Sequence, residues 1–126
     1  EPYSWVGGFS FGAWIGMQLL MRRPEIRGFI SVAPPANIYD FSFLAPCPTS
    51  GLILQGGRDD IVPEPHVEKL VEKLRMQKGI EIDYRVLDKA NHFFNDNIED
   101  LCGHIHDHMN RQGGGREVPA GLIRAA

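Results

Sequence analysis

Gly8-Phe9-Ser10-Phe11-Gly12 is the stretch on which the reading of this chain turns. It matches the pattern G-x-S-x-G, whose logic is steric. A serine on a tight strand-to-helix turn needs small flanking residues, and the strain of that turn holds the hydroxyl clear of the sheet. At ordinary glycine and serine usage, a chance match in a chain this long has a probability of about 4%, so the flanking segments must supply the context. Before the motif, Tyr3 to Gly7 reads as a short buried strand carried by Tyr3, Trp5 and Val6. After it, Gly12 to Arg22 reads as a helix that is apolar almost all round, as interior helices are. Pro24 ends it.

The alternation continues downstream. Arg27 to Ala33 is a second predicted strand, closed by Pro34-Pro35. A loop from Ala36 to Ser50, rich in aromatics and prolines, has room for a short helix. Gly51 to Gln55 is continuously apolar in its middle, as expected of a strand covered on both faces. Glu64 to Lys78 is an amphipathic helix, with Pro65 near its start and Gly79 placed for its C-cap. Ile80 to Leu87 alternates apolar with charged residues, which predicts a wetter face near a sheet edge. Asn95 to Arg111 is a last helix, with Ile98, Leu101, Cys102, Ile105 and Met109 as its core stripe. Residues 112–126 carry no periodicity and read as a flexible tail. Strands alternating with helices predict a three-layer α/β/α domain built on a parallel sheet.

Composition narrows the functional classes. Hydrophobic residues make up 43% and charged residues 23%, a globular balance. The net charge of −3 comes without a basic cluster, so nucleic acid is not an expected partner. No apolar run approaches the roughly 18 residues of a membrane span. Cys47 and Cys102 match no metal spacing and are expected to be buried reduced thiols, which points to a cytoplasmic location. The chain opens on Glu1, two residues before a strand, and is expected to be a piece of a longer domain, with any signal peptide upstream.

A nucleophilic serine needs a base, and the base needs an orienting acid. In this architecture they follow in the order Ser, Asp, His. Asp59 and Asp60 both follow the third strand, and spacing leaves the choice between them open. His92 follows the fourth strand directly and so lies at the same rim as Ser10. The Phe11 N–H, at the start of the first helix, is placed to hold an oxyanion. His66, His104, His106 and His108 remain. His104 and His108 are spaced i, i+4, which could share a metal. They project away from the core stripe with no acidic or cysteine partner beside them, so solvated histidines and no metal are expected. Phe9 and Phe93, with Phe41 and Phe43, are candidates for an apolar acyl pocket and fit equally well as core residues.

Taken together, Gly8 to Gly12, Pro34-Pro35-Ala36-Asn37-Ile38-Tyr39-Asp40-Phe41, Gly56 to Pro63 and Ala90 to Phe94 resemble the uncharacterised bacterial α/β-hydrolases related to dienelactone hydrolase and serine esterases. The resemblance runs from about Tyr3 to about Arg111. It implies a partial α/β-hydrolase fold over residues 1–111, lacking the N-terminal strands. The family pattern G-x-x-D-x-x-V-P falls on Gly56, Asp59, Val62 and Pro63, and so selects Asp59. The implied triad is Ser10, Asp59 and His92. The implied reaction is hydrolysis of an ester or related acyl bond of a small molecule through an acyl-enzyme, with no metal or organic cofactor. Dienelactone hydrolase itself carries cysteine at the nucleophile position, so the serine here favours esterase-like chemistry. Two alternatives stand beside this one: a peptidase of the prolyl-oligopeptidase type, which shares the domain and triad order, and a non-catalytic hydrolase-like binding scaffold. The family's domain is about twice as long, and its N-terminal half supplies the second oxyanion N–H. Loss of one such donor costs about 10²–10³ in rate, so this piece alone is expected to be weak or inactive.

Overall fold

In the strand Ile26–Val32, neighbouring side chains leave in opposite directions, and that alternation builds the two cores. A computed structural model describes residues 4–113. Its elements are β1 (Ser4–Phe9), α1 (Phe11–Arg22), β2 (Ile26–Val32), a 3₁₀ turn (Ser42–Leu44), β3 (Gly51–Gly56), α2 (Glu64–Arg75), β4 (Ile82–Leu87) and α3 (Ile98–Gly113). All four strands pair in parallel, in the spatial order β1-β2-β3-β4. Parallel neighbours need long crossovers. These are α1, the aromatic loop with its 3₁₀ turn, and α2 in succession.

Phe29, Ile53 and Ile82 point to one face of the sheet. There they pack with Met17 and Leu20 of α1, Val67 and Val71 of α2, and Phe41 and Leu44 of the loop. Ile30, Leu52 and Leu54 point to the other face and meet Phe94 and Met109. Period-2 alternation therefore feeds two separate apolar layers, and the domain has the three layers that the sequence pattern predicts. Among the described residues, no helix is long and apolar enough to cross a membrane.

Several boundaries differ from those read off the pattern. The second helix ends at Arg75, where the Met76 N–H turns back to the Lys73 carbonyl at 3.3 Å. Gly79, with φ 89°, serves the connection to β4 rather than a helix cap. α3 starts at Ile98 because residues 91–97 are held in turns. It continues through residues 112 and 113, so the expected tail is helical at its start, and residues 114–126 lie outside the described part.

The core stripe predicted for α3 needs correction. Ile98 is 51% exposed and Cys102 is exposed, whereas His108 is only 2% exposed. The expectation of two buried thiols therefore holds for Cys47 alone, whose pKa burial pushes up. The expectation that His104 and His108 are solvated also fails. His108 Nδ1 lies 2.9 Å from Asp83 Oδ2, and its ring stands edge-on to Trp5 with centroids 5.8 Å apart. His104 Nδ1 lies 3.1 Å from an Arg85 guanidinium nitrogen. The reason is that the charged positions of β4 face α3. What looked in sequence like a wet face is a set of paired charges: Arg85 also grips Asp83 and Asp107, each at 2.9 Å.

Partial burial raises the Asp83 pKa, but hydrogen bonds from Arg85 and His108 outweigh it and hold the carboxyl below its ordinary range. A depressed folded-state pKa stabilises the fold above the unfolded value, and that contribution is lost as pH falls through the folded value. Acid below about pH 4 should therefore destabilise the native chain more steeply than Asp83→Asn. Thermal melts across that window check this; parallel curves for the two proteins would contradict it.

Candidate active site

Ser10 sits between β1 and α1 with φ 57° and ψ −119°, a region that L-residues rarely occupy and that typically costs about 1–3 kcal/mol. The strain is held from both sides. The Ser10 N–H donates to the Val32 carbonyl at 2.8 Å, and the Ser10 carbonyl accepts the Ala13 N–H at 2.9 Å, opening the helix. A side chain at position 8 would run into the backbone of Gly12, which is why the motif needs glycine there. The result is a hydroxyl held at the C-terminal rim of the sheet.

The candidate acid and base arrive on two loops pressed together. Gly56 closes β3, and a Cβ there would lie 2.5 Å from the Ala90 carbonyl oxygen. With no side chain in the way, the Gly57 N–H reaches the Leu87 carbonyl and the Arg58 N–H reaches the Ala90 carbonyl, at 2.8 and 2.9 Å. Asn91 shapes the second loop: its Oδ1 accepts the N–H groups of Phe93 and Asn95, both at 3.2 Å. Phe94, fully buried, anchors that loop in the core beneath α3.

The side chains then meet in series. Ser10 Oγ lies 3.0 Å from His92 Nε2, and His92 Nδ1 lies 2.7 Å from Asp59 Oδ2. His92 is 3% exposed and Asp59 6%, so the pair is shielded from water. Asp59 is fixed on all sides. Its Oδ1 accepts the N–H groups of Ile61 and Val62 at 2.9 and 2.7 Å, and its Oδ2 also accepts Gln55 Nε2 at 3.2 Å. An ionised carboxylate only accepts hydrogen bonds. Nδ1 of His92 therefore carries a proton toward Asp59, which leaves Nε2 free to accept the serine proton. Asp60, left open with Asp59 by spacing, points to solvent.

The aromatic candidates divide. Phe9 and Phe93 flank the imidazole, with ring centroids 5.2 and 5.0 Å from it, and Phe93 is 57% exposed. Phe41 is buried in the core beneath α1 and α2, and Phe43 packs against it there, so neither lines this rim. Phe11 is exposed at the first turn of α1, and the N–H groups of a first turn have no partner within their helix. Its ring joins Trp14 and Tyr39 in an aromatic cluster beside the serine, with Trp14 and Tyr39 stacked at 4.6 Å. Sequence reasoning missed Gln55 and Asn91. Gln55 carried a signal, as a polar residue ending an apolar strand just before the acid loop. Among the described residues, no group of three or more His, Cys, Asp or Glu side chains gathers as a metal site.

No family model matches the chain. An uncharacterised protein of Rickettsia prowazekii is 52% identical in an alignment of 106 residues that covers 81% of this chain and 44% of that protein. Among solved structures, a protein of unknown function from Agrobacterium tumefaciens, described as a candidate α/β hydrolase, is 58% identical with a TM-score of 0.88. The match covers 95% of this chain and 55% of that one. An α/β serine hydrolase homologue from Coxiella burnetii is 30% identical with a TM-score of 0.71, covering 83% of this chain and 48% of the other. The chain thus spans about half the length of the proteins it matches. Over that half it has the fold of the α/β-hydrolases, and the proteins it resembles are the uncharacterised bacterial members of that group.

Proposed function

We propose that this chain carries the nucleophile, base and acid of a serine hydrolase that cleaves an ester or related acyl bond. The observation that carries the reading is the unbroken series Ser10–His92–Asp59, with both links at hydrogen-bond length and the inner pair buried. His92 Nε2 takes the Ser10 proton as Oγ attacks a carbonyl carbon. The carbonyl π electrons move onto oxygen, and the Phe11 N–H stabilises that charge. Asp59 holds the imidazolium. Collapse expels the alcohol, protonated by His92, and leaves the acyl-serine. Water, deprotonated by His92, then attacks the acyl carbon; the bond to Ser10 Oγ breaks, His92 returns the proton to that oxygen, and the acid is released. The similarity to serine hydrolase structures supports the reaction class.

The test is covalent. A fluorophosphonate should add one phosphonyl group to the chain, located at Ser10 by peptide mass spectrometry, and pretreatment should block hydrolysis of a short-chain aryl ester. Adduct mass does not depend on turnover, so the result stays readable where a single oxyanion donor limits the rate. A chain that stays unlabelled would refute the proposal in favour of a binding scaffold, and one labelled at another serine would refute it by placing the nucleophile elsewhere.

A further inference from the structure

A second concave site lies away from the triad, between the loop of residues 36–45 and the outer face of α2. Its volume is about 540 Å³, within the range of roughly 300–1,000 Å³ typical of small-molecule sites. The floor is apolar: Leu44, Leu70 and Leu74 rise into it from the core. The rim is charged. Lys69 and Lys73 stand one helical turn apart on the same face of α2, and His66 stands one turn earlier. Among the described residues neither lysine forms an ion pair. The one carboxylate on the rim, Asp40, is occupied by the Ser42 N–H and hydroxyl, both at 2.9 Å. The Gln77 amide is likewise engaged, by the backbone of Cys47.

An apolar floor beneath a cationic rim selects a ligand with an apolar body and an anionic head. Two ammonium groups against one carboxylate leave a single positive charge to be matched. We propose that this groove binds a singly charged amphipathic anion, a medium-chain carboxylate, at a site distinct from Ser10, His92 and Asp59. None of those three residues lines it; the Tyr39 ring and a hydrogen bond from the Trp14 indole N–H to the Asp40 carbonyl, at 3.0 Å, join it to the aromatic cluster beside the serine. The head group sits between Lys69 and Lys73, and the chain lies on Leu44, Leu70 and Leu74.

The test titrates the ¹⁵N-labelled chain with decanoate, decanol and acetate, following backbone amide shifts. Decanoate should shift residues 36–45 and 66–77 saturably and bind at least about tenfold more tightly than decanol, while acetate leaves them unmoved. The double variant Lys69→Ala/Lys73→Ala removes two exposed charges, and its unchanged spectrum elsewhere verifies folding. It should weaken decanoate about tenfold, in line with two partly exposed ion pairs, and leave decanol unaffected. Ser10→Ala should bind decanoate as the native chain does, which separates this site from the proposed chemistry. Equal affinity for decanol and decanoate, shifts centred on Ser10, no saturable shift, or an unaltered double variant would each overturn the proposal.

Discussion

Replacing Ser10 with alanine is expected to abolish fluorophosphonate labelling and to lower ester turnover by about 10⁴–10⁶-fold, while leaving the fold intact. The size of the loss follows from the geometry. Among the described residues, the Ser10 hydroxyl is the only group that hydrogen-bonds His92 Nε2, at 3.0 Å. The fold should survive because the turn is held by backbone bonds to Val32 and Ala13, which alanine keeps. Glycine at the same position should lose activity to the same extent and melt at a higher temperature than the alanine variant, because φ 57° with ψ −119° costs glycine no steric strain. Residual labelling in the alanine variant, or a melting temperature lowered by many degrees, would place the chemistry or the structural role elsewhere.

Asp59→Asn should cost about 10⁴ in kcat with little change in the position of the main chain. An asparagine side chain has one acceptor and one donor end. The Oδ1 position faces two N–H donors, from Ile61 and Val62, so the amide oxygen must go there. The amide nitrogen is then left facing His92 Nδ1 at the 2.7 Å site. Two donors cannot share that contact, so the imidazole shifts its proton to Nε2 and presents an N–H to the serine instead of a lone pair. The buried amide of Gln55, held by the Val62 carbonyl at 2.8 Å, would also face a donor where it now has an acceptor. Kinetics of the variant, together with the ¹⁵N shifts of the His92 ring, check the argument. Full activity, or an unaltered tautomer, would show that Asp59 does not orient the base. Asp60→Asn, at an exposed position, serves as the control and should change little.

Both predictions rest on residues named from sequence, but for different reasons. Ser10 was legible because a strained turn imposes a local pattern of small residues, and the strand and buried helix around it carry their own periodicities. His92 was legible because it directly follows a strand. Asp59 was not separable from Asp60 by spacing, and only the family pattern chose between them. The side-chain direction that settles it depends on where the Ile61 and Val62 N–H groups point. The alternating charges of β4 were read as facing water. Whether they meet water or a helix depends on where α3 lands, and periodicity within one strand carries no information about that.

The sequence by itself determined the order of strands and helices, the parallel sheet, the serine turn and the rim at which the catalytic candidates gather, because each is set by local sterics and by hydrophobic period. Only the tertiary structure decided which acid faces the imidazole, that His108 is buried against Asp83 and Trp5, that Phe41 and Phe43 belong to the core, and that Lys69 and Lys73 overhang a groove. Each of these depends on contacts between segments distant along the chain, and such contacts are fixed by how whole elements pack rather than by any run of residues.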